Sequence, residues 1–157
     1  MTAFPDRLRA LPTGRYTGEG VNHEGEPFVG LLQLRRLIGE AGLGIAFSAR
    51  GVGGAVYHEE ETLLGPGPAG GLVLASLNSN DPILRSYPLR REGPEGGSEH
   101  TYVFGIGDLS REDTYRCEIS LDLHLTGDLA YRYAWGLPGA AFAERSAVRM
   151  RQERHER

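Results

Sequence analysis

Residues 115–125, "YRCEISLDLHL", alternate polar and apolar side chains. Cys117, Ile119, Leu121, Leu123 and Leu125 point one way; Arg116, Glu118, Ser120, Asp122 and His124 point the other. A period of two is the pleat of a strand with one buried face and one wet face. The next segment puts Leu129, Tyr131, Tyr133 and Trp135 on a single face. A two-residue Gly127-Asp128 turn would set Tyr131 beside His124. A three-residue loop, Thr126 to Asp128, pairs Leu125 with Leu129 and sets Leu123 beside Tyr131 and Leu121 beside Tyr133. The second register joins both apolar sets in one core and is the one expected.

The same texture runs through the chain. Strand-like segments "GRYTG", "FVGLLQLRRLI", "LGIAFSAR", "AVYHEEETLL", "LVLASLN", "ILRSYPLRR", "TYVFGI", "LAYRYAW" and "ERSAVRMRQ" flank that clearest strand. Turn-rich stretches separate them, among them Gly18–Pro27, Gly65–Gly71, Glu92–Glu99 and Gly136–Ala141. Some ten short strands at this spacing predict an all-β sandwich or barrel. Only "PDRLRAL" reads as helix, and it is short. No segment supplies the crossover helices that parallel strands need, so consecutive strands should pair antiparallel as a meander. An open meander would leave two exposed edges, and closure removes them. The expected fold is therefore an antiparallel up-and-down β-barrel with a short N-terminal helical turn across one end. It forms a single domain over 1–157, with a barrel core at about 11–151 and a charged tail at 152–157.

Composition narrows the chemistry. Charged residues make up 24% and hydrophobic residues 39%, which suits a globular protein. The net charge of −4 provides no basic field for nucleic acid or anionic lipid. All 17 basic residues are Arg. Without Lys there is no Schiff base and no P-loop, which excludes PLP enzymes and P-loop NTPases. Cys117 is the single cysteine and cannot form an internal disulfide. The N-terminal stretch has no apolar signal region, and no apolar run approaches a membrane span. A cytoplasmic location is expected.

Few motifs carry chemistry. "GRYTGEG", residues 14–20, has neither the phosphate-loop spacing nor a following helix, and reads as the start of a first strand where Gly permits close backbone approach. His58 and Glu60 share a strand face, as do Asp122 and His124, while His23, Glu24 and Glu26 share a turn-rich loop. None makes a zinc motif, so no metal site is expected. Glu59, Glu60 and Glu61 read as a solvated edge, with Glu60 on the opposite face from its neighbours. No nucleophile elbow occurs, and Cys117 on the apolar face reads as a core residue. The best candidates are Tyr131, Tyr133 and Trp135, as aromatic walls of an interior cavity. Ser76, Asn78 and Arg132 are their candidate polar partners.

The opening, "PDRLRALPTGRYTGEG", resembles the calycin barrels, the lipocalins and fatty-acid-binding proteins, with Gly14-Arg15-Tyr16 in the place of their Gly-x-Trp step. In lipocalins a late Arg packs across that Trp; Arg145 or Arg149 would do so here to Tyr16, which would plug the closed end. The chain is more similar to the nitrobindin-like branch, through "AVYHEEETLL", "GGLVLASL" and "LAYRYAWGLPGAAFAERSAVRMR". That likeness covers about residues 11–151. Nitrobindins hold haem through a His near the start of the last strand. The corresponding position lies near Glu144, and His155 falls beyond the strand in the tail. The resemblance implies a carrier of a small, largely apolar molecule; no haem is expected because the axial His is missing, and enzymatic activity is left open. A haem-dependent or cavity-based isomerase or hydrolase, and a solid barrel serving as an interaction module, are the alternatives. A homodimer through a strand face is compatible with all three.

Overall fold

The structure, a computed structural model, describes residues 3–154. Ten strands follow one another: β1 (Gly14–Asn22), β2 (Pro27–Arg36), β3 (Leu43–Gly51), β4 (Val56–Pro66), β5 (Leu72–Asn78), β6 (Arg85–Gly93), β7 (His100–Ile106), β8 (Arg116–Leu123), β9 (Leu129–Gly136) and β10 (Ala143–Gln152). Each pairs antiparallel with the next, and β1 closes on β10. This is the closed up-and-down barrel that the alternation predicts. Every backbone edge finds a partner in the ring.

Alternation decides the inside. Phe28, Leu32 and Leu34 of β2, Ile45 and Phe47 of β3, and Ile119 and Leu121 of β8 are buried in one cluster. The one α-helix among the described residues, α1 (Asp6–Arg9), adds Leu8 to that cluster, and Phe4 joins it from just before the helix. Arg36, at the end of β2, donates to the carbonyls of Arg9 and Leu11 and holds the helix at that end of the barrel. Tyr16 is buried in the same cluster, and its hydroxyl donates to the Pro12 carbonyl at 2.6 Å. The opposite end is bounded by the β1–β2 turn, the segment after β5 and the β9–β10 turn.

The first strand is longer than its glycines suggest. The expected turn at Gly18–Pro27 shrinks to residues 23–26, and β1 runs through Gly18 and Gly20. Both glycines lie hard against the last strand. A Cβ on Gly18 would run into the Arg149 carbonyl oxygen, 2.9 Å from its carbon and 3.0 Å from Met150 Cα. One on Gly20 would meet Phe28 Cζ at 2.6 Å and the Ala147 oxygen at 2.7 Å.

Two expectations about β8 and β9 are corrected. Their hairpin pairs Leu123 with Leu129, Leu121 with Tyr131, Ile119 with Tyr133 and Cys117 with Trp135. The register is thus displaced by one pleat from the one expected, and Leu125 sits in the turn, 85% exposed. The apolar sets still meet, because a shift of two residues preserves the face. The polar face of β8 is not wet: Arg116, Glu118, Ser120 and Asp122 are all buried. Long arginines from β6 and β9 lie over it. Arg91 donates to Glu118 at 2.9 Å, and Arg132 grips Asp122 with two bonds of 2.7 and 3.0 Å. Arg116 itself donates to the carbonyls of Leu137 and Ala140, anchoring the β9–β10 turn.

Candidate functional site

The interior of β4 is polar where its neighbours are apolar. His58, Glu60 and Thr62 project inward at successive pleats, opposite Ala49, Phe47 and Ile45 of β3. Ser76 of β5 pairs with Thr62 and Asn78 pairs with Glu60. Glu60 was expected in a solvated edge; its side chain is 0% exposed. Only its neighbours Glu59 and Glu61 face water.

The compensation comes from across the barrel. Tyr131 and Tyr133 of β9 both donate their phenol hydrogens to the Glu60 carboxylate, one to each oxygen. His58 Nε2 lies 3.0 Å from Oε2. Thr62 Oγ1 lies 3.3 Å from Oε1 and 2.8 Å from Ser76 Oγ. Asn80 Nδ2 lies 3.2 Å from His58 Nδ1. An amide nitrogen can only donate there, so Nδ1 accepts and Nε2 carries the hydrogen toward Glu60. Asn80 is held in turn: Asn78 Oδ1 accepts from the backbone N–H groups of Asn80 and Asp81 at 3.0 and 2.9 Å. The rings stack edge to face, Phe47 on Tyr131 at 5.1 Å and Tyr131 on Tyr133 at 5.7 Å. Burial pushes both phenols well above the usual tyrosine range, and the Glu60 charge pushes the same way. Both therefore stay protonated as donors.

This cluster divides the interior. On the α1 side the core is packed. On the other side lies a hollow of about 150 Å³, walled by Phe28, Phe47, Tyr133 and Trp135, with His58 at its floor and Arg145 at its rim. The Arg145 guanidinium lies over the Trp135 ring, 4.6 Å from its centre, and His23 meets the same ring edge-on at 5.6 Å. Arg145 reaches this place because β10 is irregular between Glu144 and Ser146, and such a bulge re-aims a side chain. A larger hollow of about 630 Å³ lies along the outer face of β2–β5, between Leu31, Ala46, Ser48, Glu59, Glu61 and Leu77.

The sequence-derived candidates therefore separate. Tyr133 and Trp135 line the hollow. Tyr131 and Ser76 are sealed in the polar core beneath it. Asn78 shapes the loop that carries Asn80. Arg132 does not face the interior: it lies on the outer surface, bonded to Asp122 and 3.5 Å from Glu144. Gly14 starts β1 with φ of 120°. Neither candidate arginine packs on Tyr16. Arg145 covers Trp135, and Arg149 turns outward to Asp128 at 2.9 Å. Cys117 is buried, and burial pushes its thiol up to about 11, so it is no nucleophile at neutral pH. Among the described residues no group of three metal-ligating side chains occurs. His155 lies outside them.

Sequence reasoning placed His58 and Glu60 on one face but missed that this face is the interior. The signal was present in "HEEET": His58, Glu60 and Thr62 continue into Leu64 and must share its side.

The fold and the site define the class: a closed ten-stranded antiparallel barrel, consistent with a calycin-like architecture, with a polar centre and one open end. Comparison with protein-family models gives no match, and comparison with curated protein sequences gives none either. No helix among the described residues is long and apolar enough to cross a membrane.

Proposed function

We propose that the protein is a binding module for one small molecule, held at the open end of the barrel in the hollow above Glu60. The observation that carries this reading is the hollow itself. Five Phe, Tyr and Trp side chains line it, Tyr57 among them, and its floor is a histidine fixed from both sides. An apolar wall with few, well-oriented polar groups is what small-molecule sites share. The hydrogen bonds beneath keep Tyr133 and His58 in place before a ligand arrives, which lowers the ordering cost of binding.

The resemblance to the nitrobindin-like proteins belongs to this reading as a proposal about ancestry, and haem does not follow from it. The hollow is below the roughly 300–1,000 Å³ usual for ligand sites, and a porphyrin is a large ligand. Both nitrogens of His58 are engaged, and Glu144 faces outward toward Arg132. The reading is therefore of a cofactor-free binder. Native mass spectrometry of protein purified from its own source tests it. A retained small molecule, lost when Trp135 is replaced by Ala, is the expected result. Bare polypeptide, with no adduct after incubation with one-ring compounds, would defeat it. A Soret band on adding haem would overturn the cofactor-free part.

One observation favours a second reading, a cavity enzyme. Glu60 orients His58 as a carboxylate orients a general base, and a substrate that displaced the Asn80 amide would free the Nδ1 lone pair to take a proton. Chemical turnover of the retained molecule, abolished by His58→Gln without loss of binding, would establish it. A molecule returned unchanged would exclude it.

A further inference from the structure

We infer that the occupant of the hollow is a small organic anion, about one ring in size, whose charge rests against Arg145. The inference deepens the binding reading and depends on it.

The first argument is charge. The chain carries 21 acidic and 17 basic residues. Around the hollow that balance inverts: Arg145 lines it, and no Asp or Glu does. Arg145 also lacks a counter-ion. Its Nε donates to the Trp135 carbonyl at 3.1 Å and its Nη2 to the Ala141 carbonyl at 2.9 Å. Those bonds fix the guanidinium in place and leave its charge unneutralised. No carboxylate among the described residues lies within ion-pair distance of it, and adjacent Glu144 is turned to Arg132. Arg91, Arg132 and Arg149 are spent on acids, on Glu118, Asp122 and Asp128, and Arg116, which like Arg145 bonds only carbonyls, is sealed from solvent. Nη1 of Arg145 donates to no protein acceptor among the described residues. A planar fork held on an aromatic face, with donors to spare, suits a carboxylate or a similar oxyanion.

The second argument is size and shape. An apolar cavity of about 150 Å³ takes up benzene. The hollow here has that volume and adds aromatic faces from Phe28, Phe47 and Trp135. A one-ring body fills the walled part while its anionic group reaches the rim. A long acyl chain finds no room, because the Glu60 cluster closes the floor.

The chain supplies its own reporter. Trp135 is the single tryptophan and forms part of the wall. Benzoate, benzamide and benzylamine should be titrated into the full chain while Trp135 fluorescence is followed. Equilibrium dialysis with labelled benzoate provides an independent measure. Benzoate is expected to saturate the signal at a concentration at least tenfold below benzamide, and benzylamine not to bind. In Arg145→Gln benzoate should fall to the level of benzamide, and Arg145→Lys should restore part of the difference. Benzamide binding as tightly as benzoate, or an unchanged preference in Arg145→Gln, would overturn the anion and leave the binding reading standing. If none of the three compounds bound, by fluorescence or by dialysis, both would fall together. The benzoate–benzamide comparison uses the unmodified protein, so it decides the question even if a variant does not fold.

Discussion

Glu59, Glu60 and Glu61 are chemically identical neighbours, yet only Glu60 leaves water. A buried carboxylate is costly unless its oxygens are hydrogen-bonded. Here no arginine meets it; two phenols and an imidazole do. Removing one donor leaves the rest of the burial in place. Hydrogen bonds to a charged group contribute about 1.5–3 kcal/mol. Tyr131→Phe should therefore lower the unfolding free energy by about 2 kcal/mol, read from urea denaturation at neutral pH. An unchanged midpoint would mean that Glu60 does not depend on that phenol. This pattern could not be read from the local sequence. Strand alternation separates Glu60 from its neighbours, but the donors stand 71 and 73 residues away. Arg132 was misplaced for a related reason: it follows Tyr131 and precedes Tyr133, and residues adjacent in a strand face opposite ways.

Among the elements, β1 shows what its composition is for. Gly18 and Gly20 face β10 at distances no side chain can share. Overpacking commonly costs about 1–3 kcal/mol, and Gly18 meets backbone, which yields less than a side chain does. Gly18→Ala should cost roughly 3 kcal/mol, at the top of that range, whereas Gly65→Ala should be milder, because a Cβ there meets nothing nearer than the Ala41 oxygen at 3.5 Å. Thermal unfolding of the two variants side by side checks the contrast, and equal losses would refute it. The glycines were legible as a close approach, though not as a longer strand, because Gly also marks turns. The β8–β9 register was legible only in its face. Hydrophobic pattern rejects a slip of one residue and is blind to a slip of two. The wet face expected of β8 failed because alternation reports polarity, and arginines from β6 and β9 can cover a polar face as well as water can.

Across the whole molecule, the ring of strands was readable from turn spacing and the absence of crossover helices. The open end was not, because it is assembled from the β1–β2 turn, the loop after β5 and the β10 bulge. One consequence of closure is global. Six of the seven tyrosines, Tyr16, Tyr87, Tyr102, Tyr115, Tyr131 and Tyr133, are raised above their ordinary range, each chiefly by burial. In the unfolded chain they ionise near pH 10. The folded chain holds those protons longer, so stability is intact below pH 10 and falls as pH rises beyond it. Tyrosinate absorbance should rise together with loss of the near-ultraviolet circular dichroism signal. Independent ionisation of all seven before any loss of structure would contradict this.

The seam between β1 and β10 is also a matter of timing. Gln152 Nε2 donates to the Thr13 carbonyl 139 residues away. Bringing such distant points together costs about 4 kcal/mol in chain entropy, scaling as (3/2)RT ln n, which only the finished seam repays. On a chain emerging from the ribosome, the Glu60 carboxylate waits without Tyr131 and Tyr133 until β9 appears, and the ring stays open until β10 follows. The first strand to be made is thus the last to be enclosed.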